Sequence, residues 1–331
     1  MKRIFWLWLL LLLVVACRSP QPRLSRMEYA GGFALSEDGS VVLLSPDGTA
    51  DTLRGPYRRL VCMSSSYVGF LAAIGQEESI VGVSGLAFVG DSLPNAVEVG
   101  SDAALDYEAV LAAAPDLFLA YAVSSVEPAC VAKLRELGIR VAMLHEQRES
   151  HPLARAEYVK LFGALTACPE RADSVFSAVR DRYLALVQPE VRHKVLMNLP
   201  YADQWFIPGG DSFMARLFRD AGADVLGAVP HRQESSVIDL ESAYRHAQEA
   251  DFWFHPGWCD SKAQLQRSHP LFAAFPVLDK GVWNNTRQRT RGGGNRYWET
   301  GPVRPDLILE DLTRIFSGDT AAVLHYYVPL N

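Results

Sequence analysis

The stretch from Trp283 to Trp298 (WNNTRQRTRGGGNRYW) is the most unusual in the chain. Arg287, Arg289, Arg291 and Arg296 sit there with Asn285, Tyr297, Trp298 and three successive glycines, in a chain whose net charge is -6. A guanidinium holds a carboxylate or phosphate through two parallel hydrogen bonds. An indole or phenol ring stacks on a planar group. The alternate arginines also fit one face of an exposed strand. Three other places offer related chemistry. Ser64, Ser65, Ser66 and Tyr67 follow an apolar run, where free helix N–H groups could hold an anion or where a serine could act as an ordinary cap. Tyr201 and Trp205 follow the run Lys194–Asn198, and His255 and Trp258 follow Asp251–Phe254. The candidate ligand contacts are therefore Ser65, Ser66, Tyr67, Tyr201, Trp205, Trp258, Asn285, Arg287, Arg289, Arg291, Tyr297 and Trp298. Such a mixture of rings and cations suits a large, partly planar, anionic ligand.

Catalytic patterns are missing. The chain has no GxSxG and no HExxH, and its three glycines are not followed by the Lys-Ser or Lys-Thr of a phosphate loop. Binding without turnover is the expectation, with a hydrolase or chelatase-like enzyme as the alternative. His145, His151, His231, His255 and His269 could each ligate a metal, but none forms an HxxxH pair. No metal site and no resident cofactor are assigned, although the ligand could carry iron or cobalt. His255 has the best position for an axial ligand. The acidic balance argues against nucleic acid. Cys62, Cys130, Cys168 and Cys259 contain no CxxC pair, and their pairing stays open. Cys62 lies in the apolar run LVCM and reads as a buried free thiol.

The chain opens MKRIFWLWLLLLLVVAC. Lys2 and Arg3 precede an apolar run from Ile4 to Val15, which is short of the roughly 20 apolar residues that span a bilayer. Its length and flanks suit a signal peptide. Val14-Val15-Ala16-Cys17 resembles a bacterial lipobox, with ordinary signal cleavage as the alternative. Lipidation of Cys17 would give a multi-chain, stable anchor. RSPQPRLSR then reads as a flexible tether. It carries no acidic residue near the anchor, which favours the periplasmic face.

These side chains need elements to hold them. Residues 27–57 read as a β-hairpin layer, with Asp38-Gly39 and Asp47-Gly48 as turns around VVLL. From Arg59 onward, strands alternate with helices, which implies parallel sheets covered by helices. Composition is that of an ordinary globule, 49% hydrophobic and 21% charged, and the length calls for two lobes. Leu153 to Val187 is helical in character, interrupted near Cys168-Pro169. The two halves echo each other. Asp106-Tyr107-Glu108 precedes a strand opened by Asp116, and Asp239-Leu240-Glu241 precedes a strand opened by Asp251. Helix capping alone accounts for part of this grammar.

Several segments in order resemble the cobalamin- and iron-siderophore-type substrate-binding proteins of ABC importers. They are RLVCMSSSYVGFLAAIGQEESIVGVSG, VGSDAALDYEAVLAAAPDLFLAY, LRELGIRVAML, WFIPGGDSFMARLFRDAGADVL and GNRYWETGPVRPDLILEDLTRIF. The resemblance covers nearly all of the chain beyond Cys17. It implies an α/β fold of two Rossmann-like lobes joined by a single long helix, with the ligand cleft between the lobes. The divisions expected are a lipoprotein signal peptide at 1–17, a tether at 18–26, an N-terminal lobe at 27–150, a linking helix at 151–188, a C-terminal lobe at 189–318 and a tail at 319–331. The resemblance further implies a monomer that captures a ferric siderophore, haem or cobalamin and delivers it to an ABC permease dimer with its ATPase. Glu108 and Glu241, one per lobe, would dock on permease arginines. The alternative is a cell-surface haem-binding lipoprotein with no permease.

Overall fold

Short apolar runs capped by turn and helix-start residues set the architecture. The computed structural model describes residues 24–90, 93–122, 127–188, 190–202, 204–319, 321 and 323–331. The signal peptide expected at 1–17, Cys17 itself and most of the tether lie outside the described residues. A four-stranded antiparallel sheet comes first: β1 (Leu24–Arg26), β2 (Phe33–Ser36), β3 (Val41–Leu44) and β4 (Ala50–Leu53), in that order. Asp38 accepts the Ser40 N–H and Asp47 the Thr49 N–H, both at 2.9 Å, so each carboxylate closes its own turn.

The first lobe follows. It contains β5 (Leu60–Cys62), α1 (Ser65–Ala73), β6 (Ile80–Val83), β7 (Val97–Glu98), the small pair β8 (Gly100–Ser101) and β9 (Ala104–Leu105), α2 (Tyr107–Ala113), β10 (Leu117–Tyr121), α3 (Ala129–Glu136) and β11 (Val141–Leu144). Its sheet has the order β11-β10-β5-β6-β7, and every pairing is parallel. All residues of β5 and β6 are buried, as expected where helices cover both faces.

The segment expected as one linking helix is two. α4 (Pro152–Leu165) and α5 (Pro169–Leu186) pack on each other. Ala167 adopts a left-handed φ of 58°, and the Cys168 N–H turns back to the Gly163 carbonyl at 2.8 Å. Pro169 lacks the N–H that would continue α4 and is suited to the first turn of α5. The side chains of α4 also hold the antiparallel layer. Glu157, fully buried, accepts the N–H groups of Glu28, Tyr29 and Ala30 at 3.0, 2.7 and 2.9 Å.

The second lobe contains β12 (His193–Met197), β13 (Pro200–Tyr201), β14 (Gln204–Ile207), α6 (Phe213–Asp220), β15 (Ala223–Val225), β16 (Ser236–Ile238), α7 (Leu240–Glu249), β17 (Phe252–Phe254), α8 (Lys262–Ser268), β18 (Val282–Asn284), α9 (Arg296–Glu299), α10 (Pro305–Ser317) and β19 (Val328–Pro329). Its main sheet runs β15-β12-β17-β18-β19, parallel except for the last pair. Residues 319–331 thus contribute a strand to this lobe. Asp311 of α10, fully buried, takes the N–H groups of His325 and Tyr326 at 2.7 Å and fastens the segment.

The echo between halves is geometric. Asp106 caps α2 by accepting the Ala109 N–H at 2.9 Å, and Asp239 caps α7 by accepting the Ser242 N–H at 2.7 Å. Asp116 then accepts from Arg58 and Arg59, and Asp251 from Lys194, at the start of the neighbouring strand in each lobe.

Candidate functional site

In open parallel sheets, ligands sit beyond the C-terminal ends of strands. Here those ends meet. A cavity of about 450 Å³ lies between Gln147, Arg148 and Glu149, which follow β11, and a second-lobe wall. That wall is made of Met197, Asn198, Pro208, Ser212, Phe213, Met214, Gln233, Glu234, Ser235, His255 and Trp298. Phe213 and Met214 open α6, while Asn198 and His255 terminate β12 and β17. Both of these strand-end residues have left-handed backbones, with φ of 67° and 58°. Asparagine tolerates such a conformation, but it costs a residue such as His255 on the order of 1–2 kcal/mol, and strain of this kind gathers at functional sites.

The walls differ in character. Met197, Met214, Phe213 and Trp298 give apolar area. Arg148 is the cationic group and Glu149 and Glu234 the anionic ones. Glu149 is already engaged, accepting from the Gly31 and Gly32 N–H groups at 3.0 and 2.9 Å. Burial raises its pKa above the ordinary carboxylate range, and those two N–H groups oppose the shift. His255 is buried and neutral, because desolvation lowers its pKa to about 3.

Under the cavity, ionic groups tie the lobes. Ser66 Oγ donates to Glu146 at 3.1 Å, and Arg155 of α4 lies 3.5 Å from the same carboxylate. The Arg155 guanidinium sits 4.3 Å over the Phe213 ring of the second lobe. Glu146 and Arg155 are buried, so each depends on the other to offset its desolvation.

Of the residues expected at the ligand, Trp298 lines the cavity, 47% exposed. Tyr297 is buried and donates to Met214 Sδ of the cavity wall at 3.8 Å. Others are corrected by their surroundings. Tyr67 is fully buried and donates to the Ala120 carbonyl at 3.3 Å. Trp205 stacks among Trp253 and Phe275 and donates its indole N–H to the Met197 carbonyl at 2.7 Å, so it is a core residue. Ser64, not Ser65 or Ser66, caps α1, and Ser66 is engaged with Glu146. Asn285 is buried and accepts from Asn295 at 3.3 Å. Tyr201 and Trp258 are 81% and 68% exposed and do not line the cavity. Arg289 pairs with Asp260 at 2.7 Å and sits 5.7 Å over the Trp258 ring. Arg287 and Arg291 are exposed and likewise outside the cavity lining.

The glycine-rich loop does something else. It crosses to the first lobe. A Cβ at Gly292 would overlap the Ala87 carbonyl oxygen, and one at Gly294 would overlap that of Phe88. Thr290 Oγ1 donates to the Phe88 carbonyl at 3.2 Å, and Glu299 of α9 accepts the Gly90 N–H at 2.9 Å. The loop and α9 form a clasp between the lobes. Among the residues missed in the sequence, Gln147 and Arg148 follow a parallel strand and obey the same strand-end rule as the others. Met214 and Phe213 gave no signal beyond belonging to a helix start.

Glu108 and Glu241 are exposed in the first turns of α2 and α7. Cys62, Cys130, Cys168 and Cys259 are free thiols. No described helix is long and apolar enough to cross a membrane.

The family model described as periplasmic binding protein matches residues 60–281. An uncharacterised lipoprotein of Methanocaldococcus jannaschii is 23% identical over 295 residues, covering 83% of this chain and 69% of its own length. A second uncharacterised lipoprotein of the same organism is 25% identical over 199 residues, 56% of this chain and 50% of that one. Among solved structures, a periplasmic haem-binding protein from Pseudomonas aeruginosa aligns with a TM-score of 0.63 at 20% identity, over 83% of this chain and 98% of that one. The periplasmic vitamin B12-binding protein of Vibrio cholerae aligns with a TM-score of 0.57 at 16% identity, over 81% and 99%. At these identities the likeness to solved structures is one of fold.

Proposed function

The chain belongs to the periplasmic binding protein family, and from that membership we propose that it is the substrate-binding component of an ABC importer. It captures an iron complex, either a ferric siderophore or haem, or else cobalamin, and hands it to a permease dimer with its ATPase. Members of the family are solute-binding proteins and not enzymes. The observation that carries the reading is the cavity of about 450 Å³ at the strand ends of both lobes. Its size is that of a small-molecule site, and its mixture of apolar wall and a few polar groups is what such sites use. Trp298, Phe213 and the two methionines suit a large ring system, and Arg148 suits acidic groups on its edge.

Calorimetry of the full chain in detergent against ferric haem, cyanocobalamin and a ferric hydroxamate siderophore tests this. The expected result is one ligand bound in a one-to-one ratio with a Kd at or below about 1 μM, equivalent to about -8 kcal/mol, and recovered unchanged. No binding to any of the three overturns the reading.

Lipidation at Cys17 is part of the same proposal. Two curated relatives are lipoproteins, and the Val14-Val15-Ala16-Cys17 sequence offers the acceptor. The protein would then sit in the cell envelope facing the periplasm, near its permease, where tethering raises effective concentration. Metabolic labelling with a fatty-acid analogue should mark the wild-type chain and not Cys17→Ala.

A further inference from the structure

A chain of hydrogen bonds runs beneath the cavity into the segment fastened by Asp311. His255 Nε2 lies 2.8 Å from the Tyr327 hydroxyl. Tyr327 donates to the Tyr297 hydroxyl at 3.5 Å, and Tyr297 donates to Met214 Sδ at 3.8 Å. All four residues are buried.

The chain has a direction. A thioether only accepts, so the far end takes the Tyr297 proton. The Tyr297 oxygen accepts from Tyr327, whose own oxygen is then left to accept from the imidazole. This arrangement uses all three protons in three bonds, and the reverse leaves Met214 without a donor. A neutral imidazole carries one N–H, so a proton on Nε2 leaves a lone pair on Nδ1. Among the described residues nothing bonds Nδ1, and the ring lines the cavity. The His255 backbone is left-handed, at φ 58°.

We propose that Tyr327 and Tyr297 are positioning residues that hold His255 in its Nε2–H tautomer, so that Nδ1 presents an electron pair to the bound complex. The inference rests on the reading of the cavity as the site of a metal complex, and it narrows that reading. A fixed nitrogen lone pair is matched by a metal with an open coordination position. Ferric haem offers one on each face of its ring. A hexadentate siderophore, whose own donors saturate the iron, offers none. Tyr297 and Tyr327 lie beyond the stretch that the family model matches, which ends at residue 281.

The test uses the full chain in detergent with histidine labelled in the ring nitrogens. In the wild type, the His255 signals should show Nε2 carrying the proton and Nδ1 bare. Tyr327→Phe should yield a mixture of tautomers, and Tyr297→Phe, which keeps the Tyr327 ring and removes its acceptor, should do so in part. A bare Nε2 in the wild type overturns the proposal. Ferric haem is then titrated. The visible spectrum of the wild-type complex should indicate nitrogen ligation, and His255→Ala should lose that signature. Tyr327→Phe should keep the signature and weaken binding roughly ten- to a hundredfold, as loss of an outer-shell partner does. A haem spectrum unchanged in His255→Ala, or tighter binding of a saturated ferric hydroxamate than of haem, overturns the proposal and leaves the importer reading standing. That reading falls only if the wild type binds none of the three ligands named above. Should Tyr327→Phe fail to fold, Tyr297→Phe carries the same comparison.

Discussion

His151 starts the helix α4 with a ring nitrogen. Its Nδ1 accepts the Leu153 N–H at 3.0 Å, a cap that requires the neutral ring. Burial lowers its pKa from the ordinary 6.5, Arg216 adds to the shift and Asp220 opposes it. The unfolded chain therefore takes up the proton first as pH falls. By linkage, the contribution of His151 is present above the unfolded value and is lost as pH drops through 6.5 towards the folded value. Asn is a good cap that does not titrate. His151→Asn should match the wild type in urea midpoint near neutral pH. Towards about pH 5 the wild type should lose about 1 kcal/mol more than the variant, the size of one cap. Parallel pH curves for the two proteins would remove the assignment. The same scale explains what could be read in advance. Trp205 and Trp298 are the same residue type, and composition cannot separate them. Strand register does. Trp205 alternates with exposed Phe206 on β14 and faces the core, whereas Trp298 sits on a short helix at the cavity edge. Tyr327 carried no local signal, because its role appears only when the segment pairs with β18.

At the scale of elements, most of the alternation was legible. Apolar runs of three to five residues became the strands, and Asp or Ser before a helical run became its cap, as at Asp106, Ser212 and Asp239. The Cys168-Pro169 interruption was visible too, and it proved deep enough to split the linking segment into α4 and α5. The clasp was not legible, since arginines and glycines in sequence suggest ligand contact as readily as contact with a distant carbonyl. Its geometry makes a sharp distinction between neighbouring glycines. Gly293 has a left-handed φ of 87° and open space around it, while Gly294 lies against the Phe88 backbone. Asn tolerates left-handed backbone. Gly293→Asn should therefore leave the melting temperature nearly unchanged. Gly294→Asn should destabilise the protein by about 1–3 kcal/mol, the usual range for overpacking. Equal melting temperatures for the two variants would show that the clasp does not hold the Phe88 turn closely.

For the whole molecule, the paired lobes set how a partner can engage. Glu108 and Glu241 occupy equivalent first-turn positions, one exposed on each lobe. Two equivalent charges suit a partner with two-fold symmetry, and rim charges act mainly on orientation and association rate. Glu108→Arg with Glu241→Arg should leave ligand affinity intact. It should slow association with permease-containing vesicles roughly tenfold or more at low salt and reduce ATPase stimulation. Unchanged stimulation and uptake would sink the docking role. The clasp has a mechanical corollary for the same encounter. The lobes are bridged at two separate places, by the α4–α5 segment and by the 290–299 loop, so any load between them is shared like weight on the two legs of a frame. Two stiff members in parallel resist swinging far more than a lone pivot does. Under the proposed importer role, opening the lobes to free a ligand would require both bridges to yield together.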